Sequence, residues 1–142
     1  MSFGFSIGDF VAVGKLVIEI GSALRESTGA SAEYQSVLLR LDSLMNTLRI
    51  AELSILSTQL PQSATNAIEK HLERCAEHLR KFSAAVEKHK KSLSKGRSGS
   101  RVKDSWRKMG WALFTKEEIK EIDGDLRGDI GAICMVLTLC GV

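Results

Sequence analysis

Apolar residues recur in three- and four-residue steps along most of the chain, and strand-type alternation is nearly absent, which predicts helices. From about Ile7 to Arg25, Ile7, Phe10, Val13 and Ile20 together with Val11, Val17 and Leu24 cover much of a helical circumference. A helix apolar nearly all round belongs at the centre of a bundle. STGAS, residues 27–31, reads as a loop, with Gly29 ending this helix and Ser31 capping the next. The second helix is predicted over about 32–56, with Tyr34, Val37, Leu38, Leu41, Leu44, Met45, Leu48, Ala51 and Ile55 in its stripe. STQLPQSA breaks the pattern, and Pro61 with Ser63 as a cap suits a new helix start. The third helix, about 64–92, carries the seam Ile68, Leu72, Cys75, Leu79, Phe82, Val86, His89, Leu93, whose intervals alternate four and three. SKGRSGSR, residues 94–101, reads as a flexible basic connection. A short helix over 102–113 carries Trp106, Met109 and Trp111, with Phe114 following. Thr115 and Glu118 in TKEE form a capping box, and the last helix runs to about Leu139 along Ile119, Ile122, Leu126, Ile130, Ile133, Leu137 and Cys140. The fold class predicted is all-α: an antiparallel four-helix bundle with a short additional brace helix.

Charge changes the picture because it is uneven. Residues 1–60 carry four Lys/Arg against six Asp/Glu, residues 61–110 thirteen against five, and residues 111–142 three against six. One middle segment therefore holds the positive charge, and its natural partners are phosphates of lipid or nucleic acid. The candidate head-group ligands are Lys88, Lys90, Lys91, Lys95, Arg97, Arg101 and Lys103, followed by Arg107 and Lys108. Near an anionic membrane each contributes about 1 kcal/mol. Trp106 and Trp111 lie nearby, but no recognised nucleic-acid motif accompanies them, so no nucleic acid is expected. The plain alternative is a solvated loop.

A length of 142 residues suits one domain, 1–142, with a single core. Cys75, Cys134 and Cys140 form no regular framework and read as buried free thiols of a reducing compartment. The first residues lack the Lys/Arg region of a secretory signal. Residues 3–24 would extend about 33 Å as a helix, against a hydrocarbon core of about 30 Å. Asp9 and Lys15 interrupt that run, and each charge at mid-membrane costs about 2.5–3.5 kcal/mol. A lone permanent span is thus disfavoured, whereas a span within an oligomer, its charges facing a polar lumen, stays open. Burial of Phe3, Phe5, Ile7 and Phe10 is worth about 1.5–3 kcal/mol for each side chain, which makes them the candidate inserting residues.

Enzyme chemistry has no support in the motifs: no G-x-S-x-G elbow is present, and GRSGS lacks the ending of a phosphate loop. No catalytic residue and no cofactor is expected. His71, Cys75 and His78 share one side of the third helix, a donor set that suits zinc, but no fourth ligand is evident and Cys75 packs well on the seam. No metal is therefore assigned.

Three stretches carry a resemblance: SFGFSIGDFVAVGKLV at the start, EYQSVLLRLDSL in the second helix and WALFTKEEI entering the last. Together they resemble the HeLo-like amino-terminal domains of fungal proteins, including STAND (NOD-like) receptors. These domains are similar in architecture to the four-helix killer domain of the mixed-lineage kinase-like pseudokinase. The resemblance covers the whole chain. It implies a membrane-targeting cell-death domain excised from a longer protein with a regulatory region downstream. It further implies a cytoplasmic resting state and a plasma-membrane active state. Activity would come from homo-oligomerisation and first-helix insertion into anionic lipid. The alternative is a non-enzymatic adaptor that self-associates or binds a partner without entering lipid.

Overall fold

The computed structural model describes residues 7–27, 32–57, 59–94 and 99–142. Its helices are α1 (Ile7–Glu26), α2 (Ala32–Leu56), α3 (Gln62–Leu93), α4 (Gly99–Met109), a 3-10 turn (Gly110–Leu113) and α5 (Lys116–Leu139). No described residue lies in a strand, so the chain is all-α.

The elements end where local chemistry says they should, with two shifts. Thr115 caps α5 as expected: its Oγ1 accepts the Glu118 N–H at 3.1 Å, and Glu118 Oε2 accepts the Thr115 N–H at 3.3 Å. α3, in contrast, starts at Gln62, and no side chain caps it. Ser63 lies inside the helix because the Pro61 carbonyl already accepts the Ala64 and Thr65 amides, so the first turn closes earlier. The short helix predicted over 102–113 is two pieces, α4 from Gly99 and then the 3-10 turn, which tightens the chain where Gly110 meets Ser27. The loop expected at 27–31 and its caps Gly29 and Ser31 lie outside the described residues, apart from Ser27.

The core is built from the expected stripes. Val13, Val17, Ile20 and Leu24 of α1 meet Leu41, Leu44 and Leu48 of α2, the seam from Ile68 to Val86 of α3, and Ile119, Ile122, Leu126 and Ile133 of α5. The main helix pairs are α1–α2, α1–α3, α2–α5 and α3–α5. Side chains mark their registers. Phe10 and Val11 share a recess with Met45, Leu48, Arg49 and Glu52. Asp9, Ala12 and Val13 share another with Leu72, Ala76 and Arg80. Ser36 and Arg40 reach Asp123, and Thr47 lies 4.0 Å from Cys134. Between α3 and α5, His78 meets Asp129, Lys81 meets Glu121 and His89 meets Glu118.

Two expectations about burial are corrected. α1 is two-faced, not apolar all round: Val11 and Ile18 are more than half exposed, on the side of Lys15 and Ser22, because only α2 and α3 pack heavily on it. The thiols at the end of α5 are not buried either. Cys134 is exposed and Cys140 half-buried, while Cys75 is fully buried; all three are free. The last turns of α5 carry more apolar residues than α2 and α3 cover, leaving Met135 and Leu139 exposed as well.

Candidate membrane-facing site

The basic residues gather at one end of the molecule because α4 folds back against the last turns of α3. Lys88 and Lys91 are exposed; Lys90 is half-buried, its Nζ 5.2 Å from the centre of the Trp106 ring. That contact is worth about 0.5–1 kcal/mol and fixes the cation beside α4. Arg101, Lys103, Arg107 and Lys108 are all exposed on α4. Lys95 and Arg97 lie outside the described residues. Between residues 88 and 108 the sequence has nine Lys/Arg and one acid, Asp104. Lys90 and Lys91 in the last turn of α3, and Arg107 and Lys108 in that of α4, also face the negative ends of their helix dipoles. Part of their role is therefore to stabilise those ends.

α4 is anchored by few apolar groups, and Trp106 is its buried residue. The Trp106 Nε1–H donates to the Ala23 carbonyl of α1 at 2.7 Å, and the Trp111 Nε1–H donates to the Ser27 carbonyl at 3.1 Å. Both bonds serve carbonyls at the end of α1, where a helix has no internal donors left. Phe114 sits among these rings, 5.3 Å from Phe82, 4.7 Å from His89 and 6.3 Å from each tryptophan.

Of the residues expected to insert, only the Phe10 side chain is described. Phe3, Phe5 and the side chain of Ile7 lie outside the described residues, and Phe10 is buried in the core. Phe10 precedes Ala23 by thirteen residues, about 20 Å along a helix. The structure thus brings the basic residues together and holds Phe10 at the far end of α1 from them. Among the described residues, no helix is long and apolar enough to cross a membrane.

The periodicity gives no direct sign of two further features. The first is a group of exposed apolar side chains away from the basic end: Val11, Ile50, Leu53, Leu56, Met135 and Leu139. Ile50 and Leu53 fall off the α2 stripe, which was the available signal. The second is the polar seam between α3 and α5. His78 Nδ1 lies 2.7 Å from Asp129 Oδ2, and His78 Nε2 lies 4.0 Å from Asp125. Burial pushes the Asp129 carboxyl above its usual range, against the pull of His78. Burial also pushes the Cys75 thiol up, with Asp129 adding to the effect through its charge and a hydrogen bond. Cys75 and His78 are thus committed to Asp129, and among the described residues no group of three or more His, Cys, Asp or Glu side chains is placed to hold a metal ion.

Compared with known proteins, the chain matches no family model, no curated protein and no solved structure.

Proposed function

We propose that this chain is a regulated membrane-active module of the HeLo-like kind, the cell-death domain of a longer fungal immune or incompatibility protein. The observation that carries the reading is the cationic end, where Lys88, Lys91, Arg101 and Lys103 are exposed on α3 and α4 and Lys90 is half-buried beside them. At about 1 kcal/mol per cation near an anionic leaflet, these residues concentrate the protein on lipid before any rearrangement.

The architecture proposed with it is an antiparallel four-helix bundle of α1, α2, α3 and α5 braced by α4. The contacts that support this also set an order. The start of α1 meets the later half of α2 and the middle of α3, from Leu72 to Arg80, while Trp106, beside Lys90 near the end of α3, bonds Ala23 near the end of α1. Ser36 and Thr47 of α2 meet Asp123 and Cys134 of α5 in rising order, whereas His78 and His89 of α3 meet Asp129 and Glu118 in falling order. Consecutive long helices then alternate in direction, the ring runs α1–α2–α5–α3, and the α2–α3 connection crosses a diagonal.

In the active form, several copies release α1 into the bilayer together, with Asp9, Lys15 and Glu19 facing a polar lumen between them. Resting protein is cytoplasmic, the active oligomer sits at the plasma membrane, and a domain downstream in the parent protein supplies the trigger. Removing Phe10, Val13, Val17, Ile20 and Leu24 from the core forfeits about 1.5–3 kcal/mol for each. Hydrocarbon must return a similar sum, so release needs lipid.

A second reading, a self-associating adaptor that never enters lipid, is favoured by the exposed Ile50, Leu53, Leu56, Met135 and Leu139. Co-sedimentation separates the two. The membrane-active reading expects binding to phosphatidylserine vesicles but not to phosphatidylcholine vesicles, lost in Lys90→Glu/Lys91→Glu/Lys103→Glu. Self-association without binding to either vesicle favours the adaptor.

A further inference from the structure

We propose that α4 and the 3-10 turn form a clasp on the carboxyl-terminal turn of α1, and that opening this clasp is the first step in freeing α1. The clasp consists of backbone-directed bonds. Trp106 donates to the Ala23 carbonyl and Trp111 to the Ser27 carbonyl, both in buried positions. Ser27 sits between them: its Oγ accepts the Trp111 N–H at 3.3 Å and is 3.4 Å from the Arg107 carbonyl, to which it donates. The fit is close enough to demand glycine at 110. A Cβ there would lie 2.9 Å from Ser27 Oγ and 2.9 Å from Trp106 Cδ2.

Two properties make this a clasp and not simply more core. The bonded acceptors are the Ala23 carbonyl in the last turn of α1 and the Ser27 carbonyl just past its end, which the helix cannot satisfy itself, so opening exposes them to water without first breaking an α1 backbone bond. The same eleven-residue helix that supplies Trp106 also carries Arg101, Lys103, Arg107 and Lys108 on its surface, and Lys90 lies over the Trp106 ring. A force on those cations therefore bears on the tryptophan that holds α1. The role in activation rests on the reading that α1 is the helix that leaves; the clasp itself does not.

The test is amide hydrogen exchange of the full chain without lipid. Gly110→Ala wedges the clasp apart and leaves every α1 core side chain in place. The expected result is at least about tenfold faster exchange in the last two turns of α1, with α5 unchanged, as for local opening. Equal acceleration in α1, α3 and α5, or none in α1, overturns the proposal. Trp106→Phe is the second variant, because it keeps an aromatic ring and removes the donor to Ala23. Acceleration reaching α1 supports the clasp, and acceleration confined to α4 overturns it. Dye release from phosphatidylserine vesicles then tests the coupling. Release by Gly110→Ala at lower protein concentration than the wild type supports it. Equal, measurable release by both chains overturns the coupling. Local exchange in α1 with no dye release from either chain upholds the clasp and overturns the membrane-active reading.

Discussion

Single side chains in this molecule divide into those that fasten helices and those left to solvent. Asp129 is a fastener with an inherent pH dependence. Its carboxyl is raised above the ordinary range by burial, while His78 pulls it down. A carboxyl whose folded value exceeds its unfolded value contributes stability that is fully present below the unfolded value and lost as pH rises through the folded one. In urea titrations from about pH 4 upward, the wild type is expected to lose that contribution. Asp129→Asn is expected to show a flatter curve over the same window, and an unchanged slope would remove Asp129 as its source. Thr115 is the simpler case. Its hydroxyl and Glu118 form both halves of the capping box, so Thr115→Ala is expected to lower unfolding free energy by about 1 kcal/mol. The thiols provide a third check: Cys134 is expected to react with a thiol reagent in the native state, and Cys75 only on unfolding.

At the scale of elements, periodicity located α1, α2, α3 and α5 to within a few residues, because each needs one apolar stripe to reach the core. The α3 seam was legible almost residue by residue, including His89 as its half-buried polar member. What stayed hidden depends on which helices become neighbours. Val11 and Ile18 are as apolar as Val13 and Val17, but nothing packs heavily on their side of α1. The end of α5 reads as buried, yet its apolar residues outnumber the helix faces available to cover them. The tryptophans were legible as a brace, but not their carbonyl partners on α1, some eighty residues earlier. The cationic cluster was legible as charge in sequence, whereas its separation from Phe10 required the fold. α5 also holds an unforced cost: a Cβ at Gly128 would meet nothing within 4 Å, and the position is exposed in mid-helix. Gly128→Ala is expected to stabilise the chain by about 0.5–1 kcal/mol, read from the urea midpoint.

For the whole molecule, the cationic cluster and the buried Phe10 stand near opposite ends of α1. On the proposed reading, docking and insertion are separate events linked through α1, with exposed charge governing the first and core packing the second. Raising salt is expected to weaken vesicle docking steeply, with little effect on the folded core. The central claim is that α1 leaves α3 when the protein breaches a bilayer. Ala12 and Ala76 border the same recess between these helices, so Ala12→Cys with Ala76→Cys, in a chain whose own cysteines are replaced, is the pair to oxidise, with mass spectrometry verifying that a disulfide joins α1 to α3. The decisive measurement is dye release from phosphatidylserine vesicles by this chain before and after reduction. The expected result is normal vesicle binding with no release while oxidised, and release restored by dithiothreitol. Equal release from the verified disulfide form and the reduced form would show that the membrane is breached with α1 still in place.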